Sequence, residues 1–194
     1  MPGEASKVMV VSASGGVPEA VLHEKRNQEK GSWSPDGKSL VLSYTYWLEA
    51  EPPGLTLVSL ATHTGQRLPG PTGVWEAAWS PDGRYIAART FDSHSVRLFD
   101  VRTQTWSELL KSDVGYLQWS LSSRYLYIKR LGAETAILRV EMKSRKVEEI
   151  VSLKNLKNTG YTGDLWIGVA PDESPLFLLD TGTQEIYALN WKAP

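Results

Sequence analysis

The chain has 194 residues and no cysteine, which excludes disulfide bonds, thiolate catalysis and cysteine-ligated metals. Its 21 basic and 22 acidic side chains lack the basic excess that a nucleic-acid-binding domain needs. No apolar run approaches the roughly 18 residues of a membrane-spanning helix. The apolar block Val8–Val11 is too short for a signal peptide. We therefore expect a domain without nucleic-acid binding, membrane insertion or a targeting segment in residues 1–22.

Sequence patterns for catalysis and for metal binding are equally scarce. The three histidines, His23, His63 and His94, show no i, i+4 spacing and no His-Glu-x-x-His motif, so a zinc site is not supported. The chain also lacks a Gly-x-Ser-x-Gly elbow, a Gly-x-Gly-x-x-Gly fingerprint and a phosphate-binding loop. These absences predict that the protein is not an enzyme and holds no cofactor and no metal.

What the chain does contain is a repeated segment. Trp33–Gly37 reads Trp-Ser-Pro-Asp-Gly and returns as Trp79–Gly83, while a divergent copy starts at Trp119 and a faint one at Val169. The copies are about 40–50 residues apart, which is the period of a four-stranded propeller blade. Helical repeats need apolar residues at i, i+3 and i+4, and these segments do not show that spacing.

Each copy has the composition of a tight turn between two strands. Proline fixes φ at the second turn position, and glycine adopts the left-handed conformation without steric cost. This role explains the aspartates of the motif, so we predict turn residues rather than calcium ligands. We expect the tryptophans to pack on the inner strands. The residues predicted to hold the repeat are Trp33, Pro35, Asp36, Gly37, Trp79, Pro81, Asp82, Gly83 and Trp119.

The repeat predicts an all-β fold in which residues 1–194 form a single β-propeller domain of four-stranded antiparallel blades, about four to five in this chain. The two ends read as incomplete units. Exposed sheet edges are a liability, so either the termini share a blade, or the chain is part of a longer one, or two copies associate. The predicted units are a half-blade at 7–22, blades at about 31–68, 75–110 and 115–151, and a partial blade at 164–191.

The motif and the apolar strand after it, at Trp33–Leu42 and Trp79–Ala88, resemble the WD-like repeat of TolB-type propeller proteins. The resemblance covers residues 7–191, and the tail Leu176–Pro194 is similar to the end of propeller regions in bacterial multidomain regulators. It implies a non-enzymatic interaction or ligand-sensing module of a bacterial regulatory or envelope protein, either periplasmic or cytoplasmic. Such proteins usually have six or seven blades, more than this chain supplies.

The same resemblance implies that two sets of loops line one mouth of the propeller: those between the second and third strands, and those between blades. Exposed aromatic and arginine side chains are favoured anchors in interfaces. The residues predicted to bind a protein partner or a small ligand at this mouth are Tyr46, Trp47, Arg89, His94, Arg130 and Tyr161.

Two other functions stay open on the sequence. A propeller-type hydrolase or lyase would use carboxylates at the mouth, and Asp92 with Glu134 is the available pair. Such chemistry needs two carboxyl groups roughly 5–9 Å apart in a pocket. Alternatively, the chain is a structural fragment that self-associates as a homodimer to complete a ring.

Overall fold

The computed structural model describes residues 5–45, 54–156 and 166–178. This part of the chain forms sixteen strands and no helix. The strands are β1 (Met9–Val10), β2 (Glu19–Ala20), β3 (Gln28–Trp33), β4 (Ser39–Tyr44), β5 (Thr56–Ser59), β6 (Thr64–Arg67), β7 (Val74–Trp79), β8 (Tyr85–Thr90), β9 (Ser95–Asp100), β10 (Thr105–Lys111), β11 (Val114–Trp119), β12 (Tyr125–Arg130), β13 (Ala136–Glu141), β14 (Val147–Ser152), β15 (Ile167–Val169) and β16 (Pro175–Phe177).

These strands form three four-stranded sheets, in which each strand pairs antiparallel with its neighbour in the chain. Blade 1 comprises β3–β6, blade 2 comprises β7–β10, and blade 3 comprises β11–β14. Two-stranded sheets, β1–β2 and β15–β16, stand before and after them. The predicted all-β architecture of four-stranded antiparallel blades is confirmed.

The core lies between the blades, because the second strand of each blade is buried on both faces. In β8, Ile86 and Ala88 join an apolar cluster with Val41 of blade 1. Ala87, which points to the opposite face, joins a cluster with Leu126 of blade 3. Alternate side chains of one strand thus serve two different interfaces, as the period of two in a strand requires. Neighbouring blades therefore hold one another in place.

The Ser-Pro-Asp-Gly turns are held by their own side chains. The Ser34 hydroxyl donates to the Asp36 carboxylate at 2.6 Å, and this hydrogen bond lowers the pKa of that carboxyl. The Ser39 amide donates in turn to the Ser34 hydroxyl at 2.9 Å. In blade 2, Ser80 and Asp82 make the same 2.6 Å contact. The motif therefore closes the link between the first and second strands of its blade.

The three repeat tryptophans differ in burial because their neighbours differ. Trp119 is 3% exposed, and its indole Nε1 donates to the Ala78 carbonyl of blade 2 at 2.9 Å. Trp79 is partly buried, and its amide donates to the Ser32 hydroxyl of blade 1 at 2.9 Å. Trp33 does not pack as predicted and is instead 53% exposed. The sheet before it, β1–β2, has no first strand among the described residues to cover the indole.

Candidate functional site

Hydrogen bonds show that the loops joining second to third strands and the connections between blades lie at the same end of the blades. The Phe91 amide donates to the Gly73 carbonyl at 2.9 Å, and the Val114 amide donates to the Ser93 carbonyl at 2.7 Å. The Leu131 amide donates to the Asp113 carbonyl at 2.9 Å. We call this end, defined by residues 68–73, 91–94, 112–113 and 131–135, the mouth end.

The first strand of each complete blade is irregular where it starts, at the mouth end. In each case the first strand holds one residue more than the second strand opposite it, which is a β-bulge. Bulges redirect side chains and are over-represented beside functional sites. The shifts fall between Gln28 and Lys30 in β3, between Trp75 and Ala77 in β7, and between Val114 and Leu117 in β11.

The bulge in β7 places a carboxylate between two cations. Glu76, the extra residue, has φ +51°, an uncommon conformation for a residue other than glycine. It is 8% exposed and contacts the Lys30 ammonium with one carboxylate oxygen. Its other oxygen lies 2.5 Å from Nε of Arg89. Because Lys30 belongs to blade 1 and Arg89 to blade 2, this carboxylate joins two blades.

Aromatic rings surround the same cations. The Lys30 ammonium lies 5.8 Å from the centre of the Trp75 ring and 5.1 Å from that of Tyr116 in blade 3. The Arg89 guanidinium lies 4.2 Å from the Trp75 ring centre. All three separations suit cation–π attraction. We call Lys30, Trp75, Glu76, Arg89 and Tyr116 the inner cluster, which three blades build together.

Two members of the inner cluster reach further into the structure. The Trp75 indole donates to the Glu29 carboxylate at 3.0 Å. Arg89 donates from Nη1 to the Ser93 hydroxyl and to the Val114 carbonyl, each at 3.3 Å.

The side chain of Lys30 is 43% exposed, whereas that of Glu76 is 10% exposed. Lys30 is therefore the charge that the inner cluster presents to solvent.

The structure places the predicted mouth residues in different surroundings. Arg89 is 7% exposed at the end of β8, where it supports the inner cluster rather than forming an open surface. His94 is exposed, and its Nδ1 lies 2.5 Å from the Asp113 carboxylate on the connection to blade 3. Tyr46, Trp47 and Tyr161 lie outside the described residues.

Arg130 links the β12–β13 loop of blade 3 to strand β14 of the same blade. Its Nε donates to the Glu134 carbonyl and its Nη2 donates to the Glu149 carboxylate, each at 2.7 Å. The side chain is 27% exposed, so part of the guanidinium reaches solvent at the mouth end. Arg130 shares the mouth end of the blades with the inner cluster.

The carboxylates proposed for a hydrolase or lyase have other partners. Asp92 accepts from the Thr90 hydroxyl at 2.6 Å and from the His94 amide at 3.0 Å. The hydrogen bond from Thr90 lowers the pKa of Asp92, which is opposite to the shift that a general acid needs. Glu134 pairs with Lys154 at 2.7 Å. Each carboxylate thus belongs to a loop of its own blade.

Within residues 5–45, 54–156 and 166–178, no three side chains of the kinds that ligate metals come together as a site. His23 and His63 line one surface cavity of about 460 Å³ with Glu19, but these three do not form such a group. The described residues also contain no helix with the length and hydropathy needed to cross a bilayer.

The repeated four-stranded sheets with their shared mouth end define a β-propeller. The fold is that of TolB: the chain resembles TolB from Acinetobacter baumannii with a TM-score of 0.68 and 16% identity, over 91% of this chain and 44% of that one. A TolB-type structure from Agrobacterium tumefaciens gives 0.64 and 17%, over 76% and 57%. An auxiliary nutrient-binding protein from Bacteroides thetaiotaomicron gives 0.61 and 13%, over 90% and 42%.

These identities establish a common fold and nothing about activity. The chain spans about half the length of the structures that it resembles, or less. No family model matches the sequence, and no curated protein matches it. The predicted resemblance to TolB-type propellers is confirmed at the level of structure.

Sequence reasoning identified Arg89 but missed the rest of the inner cluster. A signal for three of its members was present, because Lys30, Glu76 and Tyr116 each stand three residues before a repeat tryptophan. Aligning the copies on that tryptophan brings a cation, a carboxylate and a phenol to one position. Chemical variation at a fixed position of a repeat suggests a site built jointly by several blades.

Proposed function

We propose that the protein is a non-enzymatic interaction module that holds a protein partner or a small ligand at the mouth end of its propeller. The observation that carries this proposal is the inner cluster, where a solvent-reaching ammonium is framed by two aromatic rings and fixed by Glu76. Aromatic and cationic groups held in place by neighbours are typical of binding sites, because little side-chain entropy is lost on association.

Two features support a binding role over a catalytic one. The carboxylates Asp92 and Glu134 are engaged in separate local contacts. Three separate blades contribute to the inner cluster, so a bound molecule would touch all of them and stabilise their arrangement. The neighbours include bacterial TolB structures and a nutrient-binding protein, which favours a place in a bacterial regulatory or envelope system.

Affinity capture from native lysate with the tagged full chain tests this proposal. Lys30→Met keeps the aliphatic stem and removes the ammonium, so a partner or ligand that binds at the mouth end is expected to fall by about tenfold in yield, as for loss of one charged contact worth about 1.4 kcal/mol. The matched control is Lys143→Met, because Lys143 is exposed on the opposite end of blade 3.

The captured proteins and small molecules are quantified by mass spectrometry after both variants are shown to give the wild-type circular dichroism spectrum. Specific loss with Lys30→Met and retention with Lys143→Met support the mouth end. An unchanged set of captured molecules with Lys30→Met rejects it.

A further inference from the structure

A groove between blades 2 and 3 opens at the end of the blades opposite the mouth end. Its walls are the turn between β7 and β8 and the two turns of blade 3 that follow β11 and β13. The Asp82 amide of blade 2 donates to the Ser123 hydroxyl of blade 3 at 2.9 Å, which ties the walls together. We call this cavity of about 280 Å³ the basic groove, and the residues lining it include Asp82, Arg84, Tyr85, Ser123, Arg124 and Lys143.

The basic groove holds two arginines that remain largely exposed although each has a carboxylate nearby. Arg84 lies 3.4 Å from the Asp100 carboxylate, and its side chain is 49% exposed. Arg124 lies 3.0 Å from the Glu141 carboxylate, and its side chain is 62% exposed. Asp82 accepts from the Arg84 amide at 3.0 Å, so this carboxylate is engaged within its own turn. Both guanidinium groups can therefore still donate to a ligand.

The turn between β13 and β14 adds two further cations, Lys143 and Arg145, which are both exposed. Among the residues that the structure describes, neither forms an ion pair. The Arg145 amide donates to the Glu141 carbonyl at 2.8 Å, and the Met142 amide donates to the Arg124 carbonyl at 2.9 Å. These hydrogen bonds fix the turn beside the groove. Two positive charges are thus held at its rim without a carboxylate from the described chain.

Tyr85 orders cations from both blades. Its ring centre lies 4.8 Å from the Arg84 guanidinium of blade 2 and 5.7 Å from the Arg145 guanidinium of blade 3. Both separations are within the range of cation–π attraction. The ring is itself partly buried against the apolar cluster that blades 2 and 3 share. A packed ring therefore restrains two guanidinium groups without neutralising them, which lowers the entropy that they lose on binding an anion.

We propose that the basic groove binds an acidic segment of a protein partner. Carboxylate side chains of that segment accept hydrogen bonds from Lys143 and Arg145 at the rim, and from Arg84 and Arg124 along the walls. The planar guanidinium group suits this role, because its fork of donors matches a carboxylate.

The size and the charge distribution of the groove favour a peptide over a small ligand. Its volume of about 280 Å³ is below the roughly 300–1,000 Å³ of pockets that enclose whole ligands. The cations belong to three separate turns on two blades, and two of them share their charge with Asp100 and Glu141. Single negative charges spread along a chain match this arrangement better than one doubly charged phosphate group.

This inference is independent of the proposed function, since the basic groove and the inner cluster lie at opposite ends of the blades. Lys30→Met and Lys143→Met distinguish the two sites. A molecule held at the mouth end is lost with Lys30→Met alone, and a molecule held in the basic groove is lost with Lys143→Met alone.

Fluorescence anisotropy of a labelled hexaglutamate peptide, titrated with the full chain at low salt, measures the binding. We expect saturable binding of hexaglutamate and none of hexaglutamine. The double variant Lys143→Met, Arg145→Gln is expected to raise the dissociation constant about tenfold, or about threefold for each exposed charge pair that is lost. Both residues lie on an exposed turn, and an unchanged circular dichroism spectrum confirms that the variant is folded.

The matched control is the double variant Lys25→Met, Lys38→Met, which loses the same charge at exposed positions outside the basic groove. We expect its dissociation constant to stay within about twofold of the wild type. Sodium acetate and sodium phosphate at equal ionic strength are expected to displace the peptide equally. Absence of hexaglutamate binding, equal losses in the two double variants, or displacement by phosphate at a tenfold lower concentration than acetate would each overturn the proposal.

Discussion

Blade 2 and the N-terminal sheet β1–β2 stand on either side of blade 1, yet they differ in how they are completed. Blade 2 has four strands and apolar clusters on both faces. Among the described residues, the sheet β1–β2 has two strands and one apolar cluster with blade 1. The comparison shows that a propeller repeat is stabilised largely by its neighbours. A residue type conserved in the motif, such as its tryptophan, can be core in one copy and surface in another.

The largest expected effect comes from removing the repeat tryptophan that packs on blade 2, which is Trp119, in comparison with Trp33 of blade 1. Trp119→Ala leaves a cavity between blades 2 and 3 and should lower the free energy of unfolding by about 3–5 kcal/mol. Trp33→Ala removes a half-exposed ring and should cost less than about 1 kcal/mol. Urea unfolding followed by far-ultraviolet circular dichroism measures both. Equal losses would show that Trp33 has a cover comparable to that of Trp119.

The inner cluster sharpens the comparison because it joins complete blades through charge rather than apolar contact. Glu76→Gln keeps the shape of the side chain and removes the charge that Lys30 and Arg89 contact. We expect the free energy of unfolding to fall by about 1–3 kcal/mol. Lys30→Met should cost less, because the Lys30 ammonium is already partly hydrated.

Thermal or urea unfolding of the two variants provides the measurement, and Glu108→Gln is the control. Glu108 lies 3.8 Å from Arg97 with both side chains exposed, and such surface pairs contribute little. A loss for Glu76→Gln no greater than that for Glu108→Gln would mean that the inner cluster does not hold the blades together.

The turns test whether any part of the repeat is independent of its neighbours. Gly37 and Gly83 have φ of +68° and +76°, and no atom would lie closer than 3.6 Å to an added Cβ at either position. Alanine at each should therefore cost a similar amount, about 1–2 kcal/mol, from backbone conformation alone. Unfolding of the two single variants gives the comparison. A clearly smaller cost at Gly37 would show that packing beside the two-stranded sheet β1–β2 also loosens the turn.

The fold could be predicted from the sequence because its main determinants are local. Proline and glycine in the motif fix the turns of blades 1 and 2 whatever surrounds them, and the short apolar run after each motif predicts the strand that follows. The exposure of Trp33 could not be predicted in this way, because it depends on which strands pack against the indole rather than on the motif. The inner cluster was not predicted for the same reason. Lys30 and Glu76 are 46 positions apart and Glu76 and Tyr116 are 40 positions apart, and only the stacking of blades brings them together.

The smallest expected effect is at the outer edge, on the exposed strand β14, where ion pairs face water. Hydrogen bonds from Lys146 and then Arg139 lower the pKa of Glu148 from 4.5 to about 2. A carboxyl group whose pKa is lower in the folded protein stabilises the fold above its ordinary pKa and loses that contribution as the pH falls towards the folded value. The contribution of Glu148 should therefore fade between pH 4.5 and about 2.

Glu148→Gln should accordingly flatten the decline of stability in that acid range and leave stability at neutral pH slightly lower, because solvent screens an exposed pair. Lys146→Met removes the first cause of the shift and should return the pKa of Glu148 part of the way towards 4.5, since Arg139 still donates to it at 2.7 Å. Carboxyl chemical shifts followed by NMR during an acid titration measure this directly. An unchanged pKa in Lys146→Met would assign the shift to Arg139 alone, making blade 3 depend at its outer edge on a contact between neighbouring strands.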